Sequence, residues 1–147
     1  VLHTAYVHRE AYRLHEHMTG LIGEIEDPRE RLLAGLTTSM RLVRESPALS
    51  RWFATTDSPI GAEMAEQSEV IQALTAGFLL SLRPDDPAVV DRRARWLVRV
   101  LTSLLIFPGR DADDERGMLE EFVVPMGCPS DSAVSAPSLR TDRDSSP

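Results

Sequence analysis

Two histidines and a tyrosine near the start of the chain come nearest to a metal-ligand pattern. His8, Tyr12 and His15 are spaced i, i+4 and i+7, so they share one face of a predicted helix. Seven residues advance a helix by roughly 10 Å, which is too far for two imidazoles to bind one ion. The pattern is therefore typical of surface or pocket-edge histidines, and we predict no metal site and no cofactor.

Sequence motifs of enzymes are absent. The chain has no glycine-rich phosphate loop, no His-Glu-x-x-His zinc motif and no serine nucleophile elbow. Neighbouring glutamates such as Glu120 and Glu121 are typical of a solvated helix face. The nearest charge to Cys128 is the carboxylate of Asp131, whereas a reactive thiol needs a positive neighbour. We therefore predict no catalytic residue and a protein that is not an enzyme.

Composition favours a reducing compartment and a surface that repels phosphate. The formal net charge is −7 over 147 residues, so the chain is not expected to bind nucleic acid unaided. Its single cysteine cannot form an internal disulfide. The longest apolar run, residues 100–107, is far shorter than the roughly 20 residues of a membrane span, and no signal peptide is visible. We expect a cytoplasmic protein without membrane contact.

Proline pairs mark the predicted helix starts. An Asp or Ser oxygen caps the free N–H groups of a first turn, and the next residue, proline, has a preset φ and no N–H to satisfy. Four such pairs occur: Asp27-Pro28, Ser46-Pro47, Ser58-Pro59 and Asp86-Pro87. With glycine and proline as stops, the predicted helices cover residues 3–25, 28–45, 47–56, 59–83, 87–107 and 113–124.

No segment alternates apolar and polar residues at the period of a strand. The predicted fold class is therefore all-α, a single bundle of about six helices over residues 1–127. After Gly127 the chain is rich in Pro, Ser and Asp and has few aliphatic residues. Such a segment cannot bury enough apolar surface to offset its ordering entropy. We predict a disordered tail over residues 128–147.

The fifth predicted helix is apolar almost all round from Trp96 to Phe107. A helix with this pattern must be buried on two sides. It is either the central helix of a small bundle, or it faces its own core on one side and a second chain on the other.

The stretch RWLVRVLTSLLIFPGRDADDERGMLEEFVVP, residues 95–125, resembles the last two helices of tetracycline-repressor (TetR) family transcription regulators. In that family an Arg-containing apolar helix ends in Ser-Leu-Leu-x-x-Pro-Gly, and an acidic turn leads to a short helix closing with an aliphatic-Pro pair. Here these features are Ser103 to Leu105, Pro108-Gly109 and Val124-Pro125. The resemblance extends over residues 1 to about 127. It implies the family's C-terminal domain, with the N-terminal helix-turn-helix missing from this sequence.

The resemblance also implies a homodimer that binds a small hydrophobic effector and reaches DNA only through the missing headpiece. In the family, the last two helices of two subunits form a four-helix interface. Mapped onto this chain, the interface residues are Leu97, Leu101, Leu104, Leu105, Met118 and Phe122. The effector enters a cavity among the first five helices and tilts the helix that links the two domains. That tilt changes the spacing of two DNA-reading heads, which must match half-sites one helical turn apart.

Large apolar side chains on neighbouring helices are the candidates for the cavity wall, because ligand pockets are mostly apolar and aromatic with a few polar groups. The candidates are Met40, Trp52, Phe53, Met64, Phe78 and Trp96. Each of them would serve equally well as an ordinary core residue. Candidates for polar contacts are Thr37, Thr38, Gln67 and Thr75.

Three functions are compatible with this pattern. The leading hypothesis is the ligand-sensing and dimerising domain of a TetR-like regulator. The second is a stand-alone helical dimerisation module that does not bind DNA. The third is a small helical enzyme or carrier.

Overall fold

The computed structural model describes residues 2–54 and 68–130, with side chains described over 5–51 and 68–130. Within these ranges the chain forms helices and no strand, which confirms the all-α prediction. The elements are α1 (Leu2–Leu21), α2 (Pro28–Glu45), α3 (Pro47–Ala54), α4 (Glu69–Leu82), α5 (Pro87–Ile106), α6 (Ala112–Met118), a π-helical segment (Leu119–Val123) and α7 (Val124–Gly127). Searched over the same ranges, no helix has the length and apolar character needed to cross a membrane.

The Asp-Pro pairs begin helices as predicted. The Asp27 carboxylate accepts the Glu30 N–H at 2.8 Å, and α2 follows with Pro28 in its first turn. The Asp86 carboxylate accepts the Ala88 N–H at 2.9 Å at the start of α5. These caps satisfy N–H groups that have no partner inside the helix, so they fix where each helix starts.

The fourth helix begins later than the sequence predicted. Ser68 has an extended backbone, and its hydroxyl accepts the Ile71 N–H at 3.3 Å, so α4 starts at Glu69. A helix running unbroken over 59–83 is therefore wrong at Ser68. A serine can cap a helix without a following proline, so Ser68 is a weaker sequence signal than the pair Ser58-Pro59. That pair lies outside the described residues.

The core is built around α2. This helix contacts α1, α3, α4 and α5, and it also contacts the π-helical segment and α7. Leu32 of α2, Leu97 of α5 and Leu119 of the π-helical segment are fully buried. Helix α5 packs most extensively against α4. The central position therefore belongs to α2, and the apolar α5 is covered on one side by α4.

The last helix passes through a wider turn before Pro125. The Val124 N–H donates to the Leu119 carbonyl, five residues back, which defines the π-helical segment. Pro125 lies in the first turn of α7, where its missing N–H costs little. Helical structure therefore continues to Gly127 and does not stop at residue 124 as predicted.

The three residues after α7 pack against the helices. Cys128 is buried in the core. Arg83 donates to the Pro129 carbonyl at 2.9 Å, and Arg29 donates to the Ser130 hydroxyl at 2.6 Å. The sequence predicts a disordered tail from residue 128 onward, whereas the structure joins residues 128–130 to the bundle. The rest of that tail, residues 131–147, lies outside the described residues and stays a prediction.

Candidate functional site

A largely apolar cavity lies between α1, α2, α4 and α5, with α3 at its edge. Its volume is about 170 Å³, and an engineered protein cavity of roughly 150 Å³ is large enough to bind benzene. The five helices contribute, among other side chains, Leu14, Leu36, Leu49, Phe78 and Leu101. A site of this size and character suits one small hydrophobic molecule.

Four of the described side chains that line the cavity are polar, and they come from four helices. They are His15, Ser39, Thr75 and Thr102. The Thr75 hydroxyl donates to the Ile71 carbonyl of its own helix at 2.8 Å. Within the described part of the chain, the side chains of His15, Ser39 and Thr102 have no hydrogen-bond partner. Three polar groups thus face this space with unused hydrogen-bonding capacity.

His15 is neutral at physiological pH. Burial lowers its pKa below the ordinary value of 6.5, because partial removal of water disfavours the imidazolium. A neutral imidazole offers one donor and one acceptor nitrogen. His15 can therefore hydrogen bond to a ligand without bringing a charge into the cavity.

Phe78 shapes the wall of the cavity through a close contact with Gly35. A Cβ atom at Gly35 would lie 2.6 Å from Cζ and 2.9 Å from Cε1 of the Phe78 ring. These distances are well inside van der Waals contact, so the glycine lets the ring lie directly against the backbone of α2. Both residues line the cavity.

We expect Gly35→Ala to destabilise the fold by about 1–3 kcal/mol, because the added methyl group overpacks against the Phe78 ring. Urea denaturation followed by circular dichroism measures this change. The matched control is Gly77→Ala on α4, where an added Cβ meets no atom within 4 Å. Removing a glycine from a helix interior stabilises it by up to about 1 kcal/mol. Equal responses of the two variants would show that the Gly35–Phe78 contact is not tight.

The predicted cavity residues differ in where the structure places them. Phe78 lines the cavity. Met40 is buried in the core, and Trp96 is partly buried and packs against the core cluster. Neither is among the lining residues of the cavity. Met64 and the side chains of Trp52 and Phe53 lie outside the described residues.

The polar candidates divide in the same way. Thr75 lines the cavity, whereas Thr37 and Thr38 do not, and Gln67 lies outside the described residues. Sequence analysis missed Ser39 and Thr102, which sit among apolar neighbours on α2 and α5. The sequence signal that could have identified them is a hydroxyl side chain on the otherwise apolar face of a helix.

Most of the predicted interface residues are covered within the chain. Leu97 is 0% exposed, and Leu101 and Leu105 line the cavity. Leu104 and Met118 are half-buried. Phe122 is 62% exposed, so it is the member of the set that is free to contact another molecule.

A partly buried ion pair fixes the turn that follows α5. Arg44 of α2 donates to both carboxylate oxygens of Glu115, at 2.7 and 2.8 Å. Glu115 also accepts the Gly109 N–H at 2.9 Å, and Arg44 donates to the Leu104 carbonyl at 3.2 Å. The network therefore ties the Pro108-Gly109 turn to the end of α2.

The same network sets the charge state of its two members. The hydrogen bond from Arg44 is the main cause that lowers the pKa of Glu115, although burial of the carboxylate opposes it. That bond likewise raises the pKa of Arg44. Both side chains are charged at neutral pH. Among the described residues, no group of three His, Cys, Asp or Glu side chains is placed to hold a metal ion.

Comparison with known proteins gives two close relatives. Over 133 residues the chain is 59% identical to an uncharacterised HTH-type (helix-turn-helix) transcriptional regulator of Mycobacterium tuberculosis strain CDC 1551 / Oshkosh. It is equally similar to a protein of the same description from strain ATCC 25618 / H37Rv. The chain is a homologue of these regulators.

The similarity covers most of this chain and part of each relative. The alignment spans 90% of the chain but 66% of each regulator, just under two thirds of their length. No family model matches the chain, and no solved structure matches it significantly. The relatives therefore support the broad class of transcriptional regulators, while the resemblance to the TetR family stays a prediction.

Proposed function

We propose that the chain is the effector-sensing and pairing part of a TetR-like transcription regulator. The observation that carries the proposal is the cavity between α1, α2, α4 and α5 in a chain that is 59% identical to two HTH-type regulators. We place the DNA-reading helix-turn-helix in the part of the protein that corresponds to the unaligned segment of those relatives. The net charge of −7 agrees with DNA contact being made elsewhere than on this chain.

The proposed mechanism acts through α1. This helix supplies Val7, Ala11, Leu14, His15 and Met18 to the cavity wall, so a bound molecule contacts α1. An effector that binds one tilt of α1 more tightly than another shifts the population between the two. In a dimer this shift changes the distance between two DNA-reading heads and therefore the affinity for a two-part site.

Chromatin immunoprecipitation of the complete gene product in its source organism tests the regulator assignment. We expect enrichment at one or a few sites that contain two related half-sites, and changed transcript levels of adjacent genes when the gene is deleted. If no site is enriched and the purified protein still forms dimers, the result would instead support the second hypothesis, a stand-alone dimerisation module that does not bind DNA.

We expect the chain to form a homodimer that buries Phe122, and Phe122→Ser to raise the dimer dissociation constant at least tenfold. A fully buried aromatic side chain contributes about 1.5–3 kcal/mol, and interface energy concentrates in a few such residues. Sedimentation equilibrium measures the dissociation constant. Leu101, another predicted interface residue, is less suitable for this test. It lines the cavity, so its substitution would disturb the fold as well as the interface.

Leu21→Ser is the control, because Leu21 is an apolar side chain at the end of α1 with 52% exposure. That substitution is expected to leave dimerisation unchanged. A parent chain that is monomeric at all concentrations, or a Phe122→Ser variant that pairs like the parent, would remove Phe122 from the proposed interface.

A further inference from the structure

The walls of the cavity contain no charged side chain among the described lining residues. A carboxylate or ammonium group placed there would lose its water and gain no partner of opposite charge. The cost of burying an unpaired charge is much larger than the gain from filling a cavity this small with hydrocarbon. The described walls therefore disfavour charged ligands.

The three unpaired polar groups give the cavity a second property. His15 lies on α1, Ser39 on α2 and Thr102 on α5, so each reaches the space from a different helix. The two hydroxyls and the neutral imidazole each combine a donor with an acceptor. A ligand that carries one hydroxyl or carbonyl oxygen can pair with at least one of them, whereas a pure hydrocarbon would leave all three unpaired in an apolar site.

Size sets the third limit. A cavity of about 170 Å³ is slightly larger than the roughly 150 Å³ that accommodates benzene. It has room for one ring and a short substituent, or for a branched chain of similar bulk.

We infer that this cavity binds a compact, uncharged molecule of about one-ring size with a single hydroxyl or carbonyl oxygen, paired to His15, Ser39 or Thr102. The inference deepens the proposed function, because it names the chemical class of the effector. Ligand specificity then comes from the polar residues, while the aliphatic walls supply most of the contact area.

Isothermal titration of the 147-residue chain with three matched probes tests this inference. The probes are 4-ethylphenol, ethylbenzene and 4-ethylbenzoate, which differ only at one ring position. A net hydrogen bond is worth about 3- to 10-fold in affinity. We therefore expect 4-ethylphenol to bind more tightly than ethylbenzene by this factor, and 4-ethylbenzoate not to bind at neutral pH.

Single substitutions identify the polar partner. Among His15→Leu, Ser39→Ala and Thr102→Val, at least one is expected to weaken 4-ethylphenol binding by about 3- to 10-fold. Binding of ethylbenzene should be retained in that variant, which shows that the cavity is still folded. Ser103→Ala is the control, because Ser103 is the exposed neighbour of Thr102 on α5.

Three results would overturn the inference. The first is binding of 4-ethylbenzoate as tightly as 4-ethylphenol. The second is equal affinity for the phenol and the hydrocarbon with no response to any of the three substitutions, and the third is no binding of any of the three probes. The regulator assignment does not depend on these titrations, because chromatin immunoprecipitation of the complete gene product decides it separately.

Discussion

Leu97→Ala is expected to lower the free energy of unfolding by about 2–5 kcal/mol, the largest effect of any single truncation discussed for this chain. Leu97 is 0% exposed and belongs to the core cluster of α2, α4, α5 and the last helix. Removal of its side chain leaves an apolar void that the neighbouring helices can only partly fill. Urea denaturation at fixed protein concentration measures the loss.

The control separates core from interface. Phe122→Ala removes an even larger side chain, but one that is 62% exposed within the chain. We expect its effect on the unfolding of the monomer to stay within about 0.5 kcal/mol, and any further loss to depend on protein concentration through the dimer. A Leu97→Ala variant as stable as the parent would contradict the placement of Leu97 in the core.

Glu115→Ala is expected to destabilise the fold by about 2–3 kcal/mol. The substitution deprives Arg44 of both its carboxylate contacts and leaves the Gly109 N–H without its acceptor. Removal of one partner from a buried ion pair costs about 3–5 kcal/mol. We expect a smaller loss of about 2–3 kcal/mol because the Arg44 side chain is 38% exposed, so water can partly replace the lost carboxylate. Glu115 itself is only 6% exposed.

The pair formed by Arg41 and Glu45 on the same helix provides the control, because both of its side chains are exposed. Glu45→Ala is expected to cost less than about 1 kcal/mol, as is usual for a surface pair. If the two substitutions cost the same, the Arg44–Glu115 pair contributes no more than an ordinary surface contact.

The stability difference between the parent and Glu115→Ala should also depend on pH. The pKa of Glu115 is lowered in the folded state from its ordinary value of 4.5, so the unfolded chain binds the proton more readily. The contribution of the carboxylate is therefore complete above its unfolded pKa and is lost as pH falls through the folded pKa. Denaturation of both proteins from pH 7 downward should give a constant difference above about pH 5.5, which shrinks in more acidic solution.

Helix boundaries were predictable from the sequence where the signal was local. A cap such as Asp27 or Asp86 acts on N–H groups two or three residues away, so a short stretch of sequence contains the whole interaction. The start of α4 was missed because Ser68 caps without the proline that marked the other starts. The helical fold class therefore followed from the sequence, apart from a few boundaries.

The candidate site was less predictable because its geometry depends on pairs of helices. The pattern of α5 predicted that the helix is buried on two sides, but it did not show that Leu101 and Leu105 line a cavity. Similarly, Gly35 and Phe78 are 43 positions apart, and the space beside them exists only because of how α2 meets α4. The ion pair of Arg44 with Glu115 spans 71 positions, which no local pattern can reveal.

The wider turn lets the last helix contain one more residue without changing which of its side chains face the core. In a regular helix at about 100° per residue, Leu119 and Val124 would point about 140° apart, yet both are buried. The π-helical segment, Leu119–Val123, accommodates one extra residue and reduces this angle to about 40°. A homologue one residue shorter in this stretch can form a regular helix and present the same buried face. A sequence alignment across this region is therefore expected to need a one-residue gap between Leu119 and Val123 wherever a relative lacks the wider turn.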